Sequence, residues 1–149
     1  MSRTTDFLTN IRRIIKLHES MLKEICDEYR LTLTEATIIS FLYNNPGKDT
    51  AADIVELRML SKGNVSQAVE SLIQKSLLLR EQDTGDRRKI HLSLTSSSRP
   101  ILQSMQAVRQ QFHEEIFIGI SQEDQMLFDR VNEQIIQNTK SAMARREKA

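Results

Sequence analysis

The 149-residue chain contains no tryptophan, one cysteine, two prolines and four glycines, and only 5% of it is aromatic. Sandwiches and barrels use turn residues at every hairpin, so this scarcity argues against an all-β fold and favours helices. One cysteine cannot close an internal disulfide; the fold rests on packing, as expected in a reducing cytoplasm. Long apolar runs are also missing. The longest, Ile116-Phe117-Ile118-Gly119-Ile120, is far too short to cross a bilayer. Met1 to Asp6 lacks the apolar core of a signal peptide. Secretion and membrane association are therefore not expected, and the expected location is cytoplasmic. Excess charge is absent as well, with 21 Lys+Arg against 20 Asp+Glu and a net charge of +1. A 28% charged fraction beside 39% hydrophobic residues suits one globular domain rather than a disordered polyelectrolyte. The overall balance does not announce a nucleic-acid partner, so charge has to be read locally.

What is present is helical periodicity. From about Asp6 to Tyr29, the residues Leu8, Ile11, Ile15, His18, Leu22, Ile25 and Tyr29 recur at steps of three or four, widened by Phe7, Ile14, Met21 and Cys26. Thr32-Leu33-Thr34-Glu35 has the spacing of a capping box, and the helix it opens stops at Asn44-Asn45-Pro46-Gly47. Thr50-Ala51-Ala52-Asp53 repeats the signal for a short helix, closed by Met59-Leu60. Ser61 then caps a helix from Lys62 to about Lys75, with Val65, Ala68, Val69, Leu72 and Ile73 inward. Its other face carries Lys62, Asn64, Ser66, Gln67, Glu70, Ser71 and Gln74. Two short capped helices in tandem, the second polar outside, read as a helix-turn-helix.

Leu77 to Gln82 and Ile90 to Thr95 flank Asp83-Thr84-Gly85-Asp86-Arg87-Arg88-Lys89, so a β-hairpin with a cationic tip is expected. Beyond it, Ile101, Met105, Val108, Phe112 and Ile116 step like a coiled-coil seam. Ser121 and Asp124 open a last helix with Phe128, Val131, Ile135 and Thr139 along one face, and Met143 to Ala149 is expected to fray. The expected fold is predominantly α with a small β-hairpin wing, an α+β winged helix-turn-helix. Its long terminal helices carry more apolar surface than the central block can cover, which argues for pairing with a second copy.

Asp86-Arg87-Arg88-Lys89-Ile90-His91-Leu92-Ser93-Leu94-Thr95 resembles the D-R-R-x-x-x-L-x-L-T wing signature of the multiple antibiotic resistance regulator (MarR) family. Leu60 to Leu72 resembles that family's recognition helix, and Leu31-Thr32 fits before the preceding helix. The resemblance extends over almost the whole chain in element order. It implies a single MarR-type domain over 1–149, with dimerisation helices at about 6–30 and 97–146 and a DNA-binding lobe at about 32–95. It further implies a homodimeric transcription regulator, commonly released from DNA by small aromatic or other anionic effectors, or by oxidation. Two positions depart from the pattern: Ser76 and Ser98 stand where the family usually has glycine.

Between Ser61 and His91 the cations Lys62, Lys75, Arg80, Arg87, Arg88 and Lys89 face Glu70, Glu81, Asp83 and Asp86, and the surplus lies at the hairpin tip. Three consecutive cations there suit phosphates or a narrow minor groove of double-stranded DNA. By resemblance Arg88 is the minor-groove arginine, with Asp86 expected to hold its guanidinium and Arg87 and Lys89 to meet phosphates. On the recognition helix, Lys62, Asn64, Ser66 and Gln67 carry base-reading donors and acceptors. Gly63 allows close backbone approach, and Ser61 caps the helix whose free amides can meet phosphates. His91 is expected outward, near the DNA backbone.

An enzyme is not expected: the chain has no glycine-rich phosphate loop, no Cys-x-x-Cys and no His-Glu-x-x-His. No cofactor and no metal site are expected. Two alternatives stay open. One is a redox- or metal-sensing regulator acting through Cys26 or His113. The other is a winged-helix interaction module that does not read DNA.

Overall fold

The computed structural model describes residues 1–148 and contains the elements that the periodicities predict. Helix α1 spans Arg3–Tyr29, α2 Leu33–Asn44, α3 Ala51–Arg58 and α4 Lys62–Gln74. Strands β1, Leu78–Gln82, and β2, Ile90–Leu94, pair antiparallel, with Leu78 opposite Leu94 and Gln82 opposite Ile90. A 3-10 turn at Ser96–Ser98 leads into α5, Arg99–Ile116, and α6 spans Gln122–Glu147. The predominantly α fold with one small hairpin is thus present. The chain divides into two compact units, 1–112 and 113–149.

Local chemistry sets the boundaries in the first unit. Thr32 accepts a hydrogen bond from the Glu35 amide while the Glu35 carboxylate accepts from the Thr32 amide, and Thr50 and Asp53 do the same for α3. Such reciprocal caps satisfy amides that a helix start otherwise leaves open. Arg30 and Met59 end α1 and α3 in the left-handed region, at φ 56° and 52°. Around α2 lies the core. Leu22 and Ile25 of α1, Ile38 and Ile39 of α2, Ile54 of α3, Val65 and Leu72 of α4, Leu78 and Leu92 of the hairpin, and Ile101 and Met105 of α5 are buried together. Each such large aliphatic side chain adds roughly 1.5–3 kcal/mol to the folded state.

Three expectations need correction. The seam read along α5 is not free for a partner over its length, because Ile101 and Met105, each 3% exposed, belong to the chain's own core. The tail expected to fray from Met143 is helical to Glu147; Ala149 lies outside the described residues. The α1 stripe is also divided. Its C-terminal half enters the core, whereas Phe7, Leu8, Ile11 and Ile15 remain 40–57% exposed.

In the second unit Phe117 stacks edge-on against Phe128 at 5.6 Å and lies 4.7 Å from the His113 ring. The apolar face of α6 stays open, with Leu127, Phe128, Val131 and Ile135 38–49% exposed.

Candidate nucleic-acid interface

The outward side of α4 is polar because its inward side is fully used. Val65, Ala68, Val69 and Leu72 are buried, which leaves Lys62, Gly63, Asn64, Ser66 and Gln67 exposed. Ser61 accepts from the Asn64 amide at 3.1 Å and so fixes the first turn. A Cβ added at Gly63 would meet nothing within 4 Å, so the space before this turn is open.

The far end of α4 is anchored by a buried carboxylate. Glu35 is 2% exposed and accepts from the Ser71 hydroxyl at 2.9 Å and from the Lys75 ammonium at 3.0 and 3.1 Å. Lys75 also donates to the Arg30 carbonyl at 3.0 Å. Burial alone pushes the Glu35 carboxyl upward. The Thr32 amide, Lys75 and Ser71 outweigh it and hold the group below its ordinary range. Sequence reading gave Glu35 only a cap role. Its second role has no local signal, since Lys75 lies 40 positions away.

Hairpin order comes from two aspartates that collect backbone amides. Asp83 Oδ2 accepts from Gly85 at 2.9 Å and Asp86 at 2.8 Å, while Asp86 Oδ1 accepts from the Arg88 amide at 2.9 Å. Gln82 donates to the Arg87 carbonyl at 3.0 Å, and the Asp83 amide donates to the Lys89 carbonyl at 2.9 Å. The amides of Asp83, Gly85, Asp86, Arg88 and Lys89 are therefore bonded within the turn, and the side chains of Arg87, Arg88 and Lys89 are exposed. This corrects the expected role of Asp86: it grips the backbone of Arg88, and no ion pair with the guanidinium is found among the described residues. On β1, Arg80 pairs with Glu70 of α4 and joins hairpin to helix.

His91 also departs from expectation. It is not a free outward side chain: Nδ1 meets Asp49 and Nε2 meets Asp83, both at 2.7 Å. The hydrogen bonds that the ring donates to Asp83 and then to Asp49 raise the imidazole above its ordinary value, and Asp83 is held down to about 2.

Five of the sequence-predicted residues line two separate hollows, and Ser61, Lys62, Gly63, Ser66 and Arg87 line neither of them. Asp86, Arg88 and Lys89 line about 400 Å³ together with Thr50, Ala51 and Ala52, so the start of α3 faces the wing cations. Asn64 and Gln67 line about 350 Å³ with Thr32, Thr34 and Ser71, at the start of α2. Thr34, Ala51 and Ala52 were missed by sequence reading, because nothing local says which helix starts stand beside α4 and the hairpin turn.

Two further hollows lie against α1. His18, Thr37, Ser40, Asn44, Leu57 and Arg58 line about 320 Å³ where α1, α2 and the end of α3 meet. Burial and then the Arg58 charge hold His18 below its ordinary value, and its ring meets Phe112 edge-on at 5.0 Å. Cys26 lines a more open hollow with Lys16, Lys23 and Leu33. Burial, then Asp27, push its thiol upward, which is the reverse of what a peroxide-reactive thiolate needs. Among the described residues no three His, Cys, Asp or Glu side chains gather as metal ligands, and no helix is long and apolar enough to cross a membrane.

A family model described as the MarR family matches residues 31–89. A MarR-family transcriptional regulator from Silicibacter pomeroyi is 20% identical with a TM-score of 0.75, over 90% of this chain and 88% of that one. A MarR-family regulator from Listeria monocytogenes, solved in complex with a 26mer DNA, is 14% identical with a TM-score of 0.76, over 88% and 87% of the two chains. Bordetella bronchiseptica BpsR, a protein whose DNA binding is regulated by 6-hydroxynicotinic acid, is 19% identical with a TM-score of 0.63, over 87% and 98%. At these identities the likeness is one of fold.

Proposed function

From the match of residues 31–89 to the MarR family model, we propose that the chain is a sequence-specific, DNA-binding transcription regulator that acts as a homodimer on a pseudo-palindromic operator. The observation that carries the reading is the hairpin tip. Five of its amides are bonded from within, so Arg87, Arg88 and Lys89 are presented to solvent on an ordered turn beside a capped helix with a polar outer face. In this reading α4 enters the major groove and reads bases through Lys62, Asn64, Ser66 and Gln67. Arg88 enters the flanking minor groove, and Arg87 and Lys89 meet phosphates. The chain acts as one MarR-type domain with its lobe at about 32–95, and the segments at about 6–30 and 97–146 serve dimerisation. The open apolar faces of α1 and α6 support that assignment.

The regulator is a ligand-responsive repressor. The hollow lined by His18, Ser40, Asn44 and Arg58 supports a small aromatic anion as effector, since it offers one cation and several hydrogen-bonding groups at the root of the DNA-reading lobe. The Bordetella relative's response to 6-hydroxynicotinic acid makes that compound the first probe.

Selection of purified protein against a random duplex library tests the reading. The expected result is an inverted repeat with half-sites about ten base pairs apart, one turn of DNA. Arg88→Ala is expected to weaken binding to the selected duplex at least tenfold, or about 1.4 kcal/mol, with fold and dimer intact. Unchanged affinity in that variant rules out the minor-groove role. Titration of 6-hydroxynicotinate into the complex tests the effector class, and displacement is expected.

A further inference from the structure

Among the described residues, His91 is the one strand residue whose side chain reaches out of the hairpin to the helical part of the lobe and back to the hairpin's own tip. It connects Asp49, in the link between α2 and α3, with Asp83, where the hairpin turn begins. A second bond runs beside it, since the Leu92 amide donates to the Asp49 carbonyl at 2.8 Å. From Asp83 the chain of contacts continues to Gly85 and Asp86, and from Asp86 to the amide of Arg88.

We propose that His91 is a positioning residue for the wing: its imidazolium, clasped between Asp49 and Asp83, fixes the hairpin turn that carries Arg88, so that affinity for DNA falls when the ring loses its proton. The inference rests on the DNA-binding reading given above and adds a control of that same site.

Donor arithmetic carries the argument. Each ring nitrogen lies 2.7 Å from a carboxylate oxygen, and a carboxylate only accepts. A neutral imidazole has a single N–H, so one of its two nitrogens would point a lone pair at an anion. Only the cation donates to both. Asp83 cannot supply the missing proton, because its other oxygen already accepts two backbone amides and its carboxyl is held down to about 2. The two carboxylates against the ring, Asp83 from the turn and Asp49 from the α2–α3 link, both favour the cation and outweigh its partial burial, and Glu81 stands at the position opposite on β1.

The sign follows. His91 is raised in the folded protein, so the clasp is complete below the ordinary histidine value of 6.5 and is lost as pH rises through the folded value. Asp83 is depressed, so its share is complete above its ordinary 3.8 and is lost only as pH falls toward 2. The clasp is closed between these limits and opens on the alkaline side.

Two readouts on the full chain separate the clasp from the DNA reading. Without DNA, amide hydrogen exchange at Asp83, Gly85, Asp86 and Leu92 is followed from pH 6 to 9, corrected for intrinsic exchange, alongside titration of the His91 ring by NMR. Protection is expected to fall as the ring titrates. In His91→Gln it is expected to be independent of pH, and in His91→Arg, permanently charged, to persist at pH 9. With the library-selected duplex, wild-type affinity is expected to fall roughly three- to tenfold more than that of His91→Gln over the same range. His91→Arg is expected to restore the alkaline affinity. A ring that titrates at or below its ordinary value, or protection that ignores pH, overturns the clasp. Intact pH-dependent protection with equally flat affinity in wild type and His91→Gln overturns the positioning role and leaves DNA binding standing. No duplex binding by wild type even at pH 6 overturns the DNA reading, and the positioning role with it.

Discussion

Ser76 stands where the resembling family usually has glycine, and it adopts φ 63°. In that region a Cβ crowds the backbone, at a cost on the order of 1 kcal/mol for a residue other than glycine. Ser76→Gly is therefore expected to raise stability by about 0.5–1 kcal/mol, read as a higher urea midpoint with an unchanged slope. A lower midpoint would show that the serine is held there by something its backbone angle does not reveal. Ser98, the other departure, behaves differently. It has no left-handed φ, it is fully buried, and its hydroxyl donates to the Thr95 carbonyl at 2.6 Å. One serine is tolerated at its position and the other is put to use. The sequence shows both as the same substitution, because backbone angle and burial are properties of the fold.

Between elements, the most telling link joins α2 to α4. Lys75→Met would leave the Glu35 carboxylate buried with only the Ser71 hydroxyl and the Thr32 amide. A loss of about 1–3 kcal/mol is expected, the size typical of charge-assisted hydrogen bonds. Glu35 is depressed, so its contribution is present above its ordinary 4.5 and is lost as pH falls through the folded value. The acid limb of a stability–pH profile should therefore be shallower in Lys75→Met than in wild type, and an identical limb would contradict the link. Much of the element level was legible in advance. The boxes Thr32–Glu35 and Thr50–Asp53 act over three residues, and the Ile90–Thr95 alternation is a local record of a half-buried strand. The partnerships Glu35–Lys75 and His91–Asp49 span 40 and 42 positions, and no local pattern records them. Asp86 was misread for a related reason: charge pairing with Arg88 is visible in sequence, but a nearer backbone amide reached the carboxylate first.

At the scale of the whole molecule, the exposed apolar faces decide the quaternary prediction. Ile15 of α1 and Val131 of α6 are each 49% exposed among other apolar residues, in separate compact units. Charge placed at either position is expected to convert a dimer to monomers in sedimentation while leaving the circular dichroism spectrum unchanged. Ile15→Glu and Val131→Glu that both sediment as dimers would refute the assignment of these faces. Removing α5 would be a poorer test, because Ile101 and Met105 are needed at home. One more consequence concerns the hairpin, whose sheet has only two strands. The outer edge of β2 is met by the Asp49 carbonyl, whereas β1 has no further strand beside it among the described residues. An unpaired edge invites strand addition from other chains, and charged side chains discourage it. Arg80 and Glu81 lie within that strand and Lys89 closes the turn, so charged side chains guard this edge against aggregation through strand addition.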